Sequence, residues 1–423
     1  MSYQTPRGTY DILPSDIHKW HDVEAVIRRI TSLYRYREIR TPYFEDTKVF
    51  KRENDSSDMV NKEMYTFNMG SESYTLRPEG TAGVIRSFDQ HKLYGSMEMP
   101  ARLYYIGAMF RHERPQKGRQ RQFTQFGVEN IGAKTPEIDA ETIALGYDIV
   151  KAMGISSIKV LINTLGDDES RAAYRQALKE HFAPHLDELC GDCQRRYEQN
   201  PLRILDCKVD HDKECMKNAP KLSDYLNEES SEYFRRVLAC LDALGIPYEI
   251  DEHLVRGLDY YTHTVFEVVS TRPDSGAQAT IFAGGRYDHF VEYYGGPEMS
   301  GIGFAIGLER LIALAEDEGY PFTEEGQCDV YVIGLGNVGD SVLKTLSMLR
   351  NAGYQCEGNL VKRSLKAQFK SADRMNAKYI VILGEDEVAQ GTLNVKNSAD
   401  KTQLTLKNEE LLDQLKTWEE NAK

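Results

Sequence analysis

The sequence predicts an α/β protein built from more than one domain: a β-rich domain interrupted by a helical insertion, followed by a smaller α/β domain. Three observations lead there. The chain has 423 residues, more than one ordinary domain holds. Strand-like segments stand on both sides of a polar, helix-rich block at 167–230. Near residue 325 the pattern changes to strongly apolar strands alternating with helices, the signature of a sheet with helices packed on it. The expected division is 1–325, interrupted by 167–230, and then 326–423.

Taken in order, residues 16–37 show helical spacing, with Trp20, Val23, Ile27, Ile30 and Tyr34 on one side and Ser15 or Asp16 as the N-cap after Pro14. A strand, EIRTPYFE at 38–45, follows, its Pro42 marking an edge or the end of pairing. Residues 102–113 and 121–131 read as two strands of a hairpin with a long loop. SIKVLINT at 157–164 is a further strand, and the insertion after it holds four of the seven cysteines. Strands return at 262–269 and 280–283, and a helical pattern, GLERLIALAED, occupies 307–317. In the last domain DVYVIGLG and AKYIVILGE are strands and VLKTLSMLRNAG a helix closed by glycine.

Hydrophobic residues make up 41% and charged residues 28% of the chain, the composition of a protein with a packed core. No run of about 18 apolar residues occurs and the start resembles no signal peptide, so a cytoplasmic protein without a membrane span is expected. The net charge of −14 disfavours loose binding to nucleic acid but leaves room for local basic patches.

One such patch is FRHERPQKGRQRQFTQFGVE at 110–129, where Arg111, Arg114, Lys117, Arg119 and Arg121 surround a turn. Residues two apart on a strand share a face, so Gln125, Gly127 and Glu129 point one way and Phe126 and Val128 the other. Tyr105, Gly107, Met109 and Arg111 share a face of the preceding strand. If the strands pair, Arg111, Gln125 and Glu129 look into one cleft, with Gly107 and Gly127 leaving room for a ligand. Arginine forks suit phosphate oxygens, and Phe123 could stack on a base. A merely solvated hairpin is the plain alternative.

This stretch resembles motif 2 of class II aminoacyl-tRNA synthetases, and the chain is similar throughout to the histidyl-tRNA synthetase family. RGTYDILP at 7–14, TLRPEGT at 75–81, LVRGLDYYT at 254–262, FAGGRYD at 282–288 and GIGFAIGLER at 301–310 occur in the family's order. The resemblance implies an antiparallel class II catalytic sheet with helices, a helical insertion and a C-terminal anticodon-binding domain. It implies ATP-dependent formation of histidyl-adenylate and transfer of histidine to its tRNA, by a homodimer joined through the motif 1 region, which is the helix at 16–37, the strand after it and Pro42.

Residue by residue, Arg256 matches the family's principal catalytic arginine on the α-phosphate and carboxylate, with a structural ion pair as its alternative. Arg111 matches a second α-phosphate contact. Arg310 matches the residue that stacks on adenine opposite Phe123 and faces the γ-phosphate, while Arg119 and Arg121 are weaker phosphate candidates. Glu129 and Tyr261 match imidazole contacts, Glu79 and Thr81 the α-amino contacts, and Gln125 a contact near the carboxylate, with Tyr260 and Tyr287 lining the pocket. Glu79 follows Pro78 at a helix start, so a helix-terminus role competes with ligand binding. Arg114, Gln116 and Lys117 would meet the acceptor end of the tRNA. Magnesium would come with the triphosphate, with Glu113 as an outer partner. The insertion is expected to touch the acceptor arm.

Three further patterns need weighing. Lys362, Lys366, Lys370, Arg374 and Lys378 recur every four residues, with Leu365, Phe369 and Ala372 as the expected buried stripe; they could run along tRNA phosphates or be a solvated face. GLGNVG at 334–339, with Glu357 downstream, fits a dinucleotide fingerprint, but too few residues remain for a substrate domain. Cys190, Cys193, Cys207 and Cys215 could hold a structural zinc, although the last two, with seven residues between them, are loosely spaced and free thiols are favoured. The competing functional reading is a histidine-sensing regulatory paralogue of the ATP phosphoribosyltransferase type, which commonly lacks the anticodon domain and intact motifs.

Overall fold

The computed structural model describes residues 3–51, 59–115, 118–205, 207, 209–255, 260–273, 279–323, 328–361 and 363–421. The chain forms two compact units, Met1–Phe322 and Thr323–Lys423.

In the first unit the strands are β1 (Arg37–Glu38), β2 (Phe44–Asp46), β3 (Tyr65–Met69), β4 (Glu72–Leu76), β5 (Ala101–Phe110), β6 (Gln122–Ile131), β7 (Ile158–Thr164), β8 (Tyr248–Ile250), β9 (Thr262–Ser270), β10 (Thr280–Tyr287) and β11 (Gly301–Gly307). Eight of them make one sheet in the order β1-β5-β6-β11-β10-β9-β7-β8, and β2-β4-β3 make a small second sheet. The run β5-β6-β11-β10-β9-β7 is antiparallel, with parallel pairs only at the two edges.

The alternation of β6 sorts its side chains as the period-two argument requires. Phe126 and Val128 enter a core with the helices Pro14–Leu33, Pro136–Ala152, Glu228–Ala243 and Leu308–Asp317. The opposite face of the sheet carries Leu103, Tyr105, Met109 and Tyr287 against Val84, Ile85 and Phe88 of the helix Thr81–Gln90. Burying each of these large side chains contributes roughly 1.5–3 kcal/mol.

Several elements depart from expectation. The first helix begins at Pro14 with Leu13 as N-cap and no side-chain cap, so Ser15 and Asp16 are not caps; Pro14 takes the first helical position, where its missing N–H costs nothing. Trp20, Val23, Ile27 and Ile30 are buried as expected. The segment 38–45 is two short strands in different sheets rather than one, because the chain turns through Pro42. Strand β11 was not expected at all. Its glycines lower strand propensity, yet Gly301 and Gly303 are what allow the Tyr287 ring and the Glu129 carboxylate to lie against it.

Within the insertion, the helices Asp168–Phe182 and Gly191–Gln199 and several single turns surround a separate small core of Tyr174, Leu178, Phe182, Leu189, Leu202, Ile204 and Met216. The helix Glu228–Ala243 packs through Val237 and Leu241 on the main core instead. Arg286 and Asp139 form a fully buried ion pair, with Nε–Oδ1 at 3.0 Å. Asp139 also accepts from Thr264 Oγ1 at 2.6 Å and Tyr233 OH at 3.1 Å, which compensates much of its desolvation.

The second unit adds β12 (Val330–Gly334), β13 (Cys356–Gly358), β14 (Tyr379–Leu383), β15 (Thr392–Asn397) and β16 (Gln403–Lys407), ordered β13-β12-β14-β15-β16. The first three are parallel and the last two pair antiparallel. Val330 and Val332 face the helices Gly339–Asn351 and Leu411–Asn421, while Tyr331 and Ile333 face Leu365–Arg374; both faces are covered, as continuous apolar strands require.

In the helix Leu365–Arg374 the buried positions are Gln368, Ser371 and Ala372, whereas Leu365 is exposed and Phe369 half-buried. Of the expected apolar stripe, Ala372 and Phe369 pack on the sheet and only Leu365 does not; Gln368 adds a polar dock, accepting from Gly334 N at 3.1 Å and donating to Gly334 O at 2.9 Å. Lys366, Lys370 and Arg374 lie on this helix; Lys378 lies beyond it and pairs with Asp329 at 2.8 Å, and Lys362 is outside the described residues. The GLGNVG loop is closed by the Glu385 carboxylate, which accepts from Asn337 N at 2.8 Å. A carboxylate there repels the pyrophosphate that a dinucleotide site would bind.

Candidate active site

The site is assembled where β6, β10 and β11 meet the start of the helix Thr81–Gln90. Glu129 on β6 is almost wholly buried, and its carboxylate accepts from Thr81 Oγ1 at 2.7 Å and Tyr287 OH at 2.6 Å. Burial pushes its pKa up to about 8. The two hydroxyls pull the other way, and Glu79 nearby adds to the rise. Tyr287 is on β10, with β11 between it and β6. The Glu129 side chain crosses that middle strand above Gly303, its register partner, where a Cβ would collide with both the carboxylate and the Val128 carbonyl.

Glu79 is buried and accepts from the backbone N–H of Thr81 at 2.6 Å and Ala82 at 2.9 Å. It therefore fills the helix-terminus role, and its pKa is nonetheless raised by burial. Gln125 is buried on the same strand face as Glu129, and among the described residues its Oε1 has no hydrogen-bond partner. A buried acceptor left open is an incentive for a ligand donor. Tyr260 lies 4.7 Å from Tyr261 and 4.5 Å from Phe290, stacked on the latter, and 5.9 Å from Tyr287 in ring-centroid distance. One aromatic wall thus includes all three candidate tyrosines.

The room expected beside Gly107 and Gly127 is not empty. A Cβ on Gly107 would strike the Arg77 guanidinium, and one on Gly127 or Gly80 would strike the Tyr105 ring. These glycines admit the protein's own side chains. Arg77 is buried, donating to Ala108 O at 2.9 Å and Thr41 O at 3.0 Å beneath the Tyr43 ring.

Around the hairpin, Arg111 donates from Nε to Pro78 O at 2.8 Å and lies 5.3 Å from the Phe123 ring centre. Its guanidinium is thereby held next to Glu79. Glu113 pairs with Arg119 at 2.8 Å and more loosely with Arg111 at 3.8 Å. Arg121 folds onto the N-terminal segment, with its N–H donating to Gly8 O at 2.7 Å and its Nε to Glu113 O at 3.2 Å. Gly8, at φ +87°, permits this approach. Arg310 donates to the Thr280 carbonyl at the start of β10 and is half-buried. Burial lowers its pKa, and the like charge of Arg119 lowers it further. Arg114 is exposed, and Arg256, Gln116 and Lys117 lie outside the described residues.

Sequence reasoning missed Glu309. It accepts from Thr124 N at 2.7 Å just where the β6–β11 pairing ends. Burial raises its pKa to about 7. Its position immediately before Arg310, in the first turn of a helix after a strand, was the available signal. Tyr10 of the RGTYDILP segment has its pKa raised by partial burial first and by the nearby Glu309 carboxylate second, although 44% of the residue stays exposed.

At the thiol cluster, Cys190, Cys193 and Cys207 come together, but the fourth position belongs to Asp210 and not to Cys215. Four residues that the sequence scatters form one group because Asp210 follows the turn carrying Cys207.

Comparison with known proteins agrees along the chain. A model of the family described as histidyl-tRNA synthetase matches residues 8–311, and one described as an anticodon binding domain matches 329–418. A Bacillus cytotoxicus histidine–tRNA ligase is 52% identical over 402 residues, 94% of this chain and 95% of that one. A ligase of the same name from Geobacillus sp. is 50% identical over 419 residues, 98% and 99% of the two chains. The crystal structure of apo S. aureus histidyl-tRNA synthetase superposes with a TM-score of 0.84 at 41% identity, covering 98% of this chain and 100% of the other.

Proposed function

The chain belongs to the histidyl-tRNA synthetase family and is a ligase that attaches histidine to tRNA using ATP, and we propose the following division of labour among its residues. The observation that carries the proposal is the Glu129 carboxylate, buried and held between Thr81 and Tyr287. A fixed acceptor of this kind can pair with an imidazole N–H, and a side chain without that donor leaves it unsatisfied. Tyr261 assists at the ring, Tyr260 and Tyr287 wall the pocket, and Gln125 takes a donor near the substrate carboxylate. Glu79, while capping its helix, supplies negative charge for the α-amino group together with Thr81.

In the first reaction the histidine carboxylate oxygen attacks the α-phosphorus, the new P–O bond forms and diphosphate leaves. Arg111 and Arg256 bring the two anions together and stabilise the charge that accumulates on phosphorus. Arg310 stacks on the adenine opposite Phe123 and faces the γ-phosphate, while Arg119 and Arg121 attend the rest of the triphosphate. In the second reaction a terminal ribose hydroxyl of the tRNA attacks the activated carbonyl and AMP leaves. Arg114, Gln116 and Lys117 are assigned to that acceptor end, and the second unit to the anticodon.

Magnesium bound to the triphosphate would neutralise phosphate charge. Among the described residues no carboxylate cage lies at this end of the site, and Glu113, already paired with Arg119, suits only an outer role. We further assign a homodimer formed through the motif 1 region. Its support is the exposed apolar surface of Leu33, Tyr43, Phe44 and Phe67 there. A cytoplasmic location is assigned from the activity itself, which consumes ATP and charges tRNA. Among the described residues no helix is long and apolar enough to cross a membrane.

The test is histidine-dependent exchange of pyrophosphate into ATP, with Arg256→Ala as the comparison after its fold is confirmed by circular dichroism. Exchange in the wild type and a loss of at least about 100-fold in the variant are expected. Equal rates would remove Arg256 from the chemistry. The histidine-sensing regulatory reading is less supported: the phosphate arginines and the matched anticodon unit have no use in a sensor.

A further inference from the structure

We infer that the insertion contains a closed structural zinc site whose ligands are the thiolates of Cys190, Cys193 and Cys207 and the carboxylate of Asp210. The four candidate ligand atoms all lie within 4.8 Å of one another. Cys190 Sγ and Cys207 Sγ are 3.7 Å apart. Two sulfurs each about 2.3 Å from one tetrahedral zinc stand about 3.8 Å apart, so this edge already has the right length. Asp210 Oδ2 is 3.6 Å from Cys207 Sγ.

The surroundings are those of a ligand set. Cys190 is the N-cap of the helix Gly191–Gln199 and Cys193 lies in its first turn, so one helix start presents both sulfurs on the same side. The Asp210 N–H points at Cys207 Sγ, 3.4 Å away. Cys190 N–H donates to Asp210 Oδ2 at 2.9 Å, and Lys213 Nζ sits 2.8 Å from the other carboxylate oxygen. Outer donors of this sort orient metal ligands. Binding displaces three thiol protons and leaves three thiolates and a carboxylate around a dication, a net charge that Lys213 partly offsets.

The insertion also has a physical need for such a link. Among the described residues between Asp168 and Tyr225 only one helix is long, at 15 residues; the others run from nine residues down to four. Elements this short bury little apolar area each, and a cross-link between 190 and 210 ties together the middle of the block. Four protein ligands leave no open position, so the metal is structural. Cys215, which spacing would have chosen, is buried elsewhere in the same small core, with its carbonyl 2.7 Å from His181 Nε2.

The experiment is elemental analysis of the untagged full-length chain after growth with zinc, combined with cobalt(II) titration of metal-stripped protein. About one zinc per chain is expected, together with a tetrahedral cobalt spectrum bearing sulfur charge-transfer bands. Cys193→Ser should remove about one third of that charge-transfer intensity, and Asp210→Ala should weaken zinc binding at least 100-fold while keeping the sulfur bands. Cys215→Ser should leave stoichiometry and spectrum unchanged. The inference is overturned by a chain that neither carries nor takes up zinc, by a Cys190–Cys207 disulfide in the native protein, or by loss of the metal in Cys215→Ser as complete as in Cys207→Ser.

Discussion

Tyr287 reaches Glu129 across an intervening strand, its phenol donating at 2.6 Å over the backbone of Gly303. Two strands that are not neighbours are joined by side chains because the strand between them offers none at that point. Gly303→Ala should therefore disturb the site more than a single methyl suggests, since the Val128 carbonyl also stands in the way and no rotamer change relieves it. Displacing the carboxylate by about 1 Å can cost on the order of 100-fold in rate. A loss of that size in histidine-dependent exchange, at unchanged ATP affinity, is expected; wild-type kinetics would show that the close approach is immaterial.

The raised pKa of Glu129 makes stability depend on pH in a stated direction. The folded chain keeps this proton up to about pH 8, whereas an ordinary glutamate in the unfolded chain loses it near 4.5. Between those values the folded state binds more protons, so this group's contribution worsens as pH rises from 4.5 to 8, at up to about 1.4 kcal/mol per unit. Below 4.5 the cost is absent and above 8 it is complete. Glu129→Gln lacks the effect, while Glu309 is common to both chains. Urea unfolding should thus show wild type losing ground to the variant between pH 5 and 8.5, and a constant difference would contradict the assignment.

Arg111 is positioned by a geometry that lysine lacks. Its Nε is committed to Pro78 O while the fork lies by Phe123, so one side chain is both anchored and aimed. Arg111→Lys should keep the charge and lose about 10- to 100-fold in kcat for adenylate formation, measured by rapid-quench turnover. Full activity would mean that only its charge matters.

The Arg286–Asp139 pair predicts a purely structural effect. Both groups are fully buried, so Asp139→Asn strands a guanidinium among fewer acceptors. A destabilisation of roughly 3–5 kcal/mol is expected, seen as a lower thermal midpoint. A midpoint within a degree of wild type would show that water or another residue takes over.

Much of the site is legible in the sequence. The alternation of Gln125, Gly127 and Glu129 against Phe126 and Val128 is a local property, and local periodicity survives folding. The helix positions Trp20, Val23, Ile27 and Ile30 are readable for the same reason. What misleads is anything decided by a distant neighbour. Gly107 and Gly127 look like space for a ligand but serve Arg77 and Tyr105, which approach from other elements. Leu365 looks buried, yet Gln368 faces the sheet because Gly334, at the end of its strand, has an N–H and a carbonyl that this side chain satisfies. Strand β11 is hidden by the glycines that make it useful.

By itself the sequence determined the order of motifs, the faces of each strand and helix, and the chemical kinds of group available: guanidiniums for phosphate, carboxylates and tyrosines for a ring. Those follow from backbone period and side-chain chemistry, which act over a few residues. Only the tertiary structure decided that Thr81, Glu129 and Tyr287 share one pair of oxygens, that burial lifts the Glu129 pKa to about 8, and that Asp210 displaces Cys215 beside three thiols. Distance through space and exclusion of water set these outcomes, and neither is written in the spacing of residues along a chain.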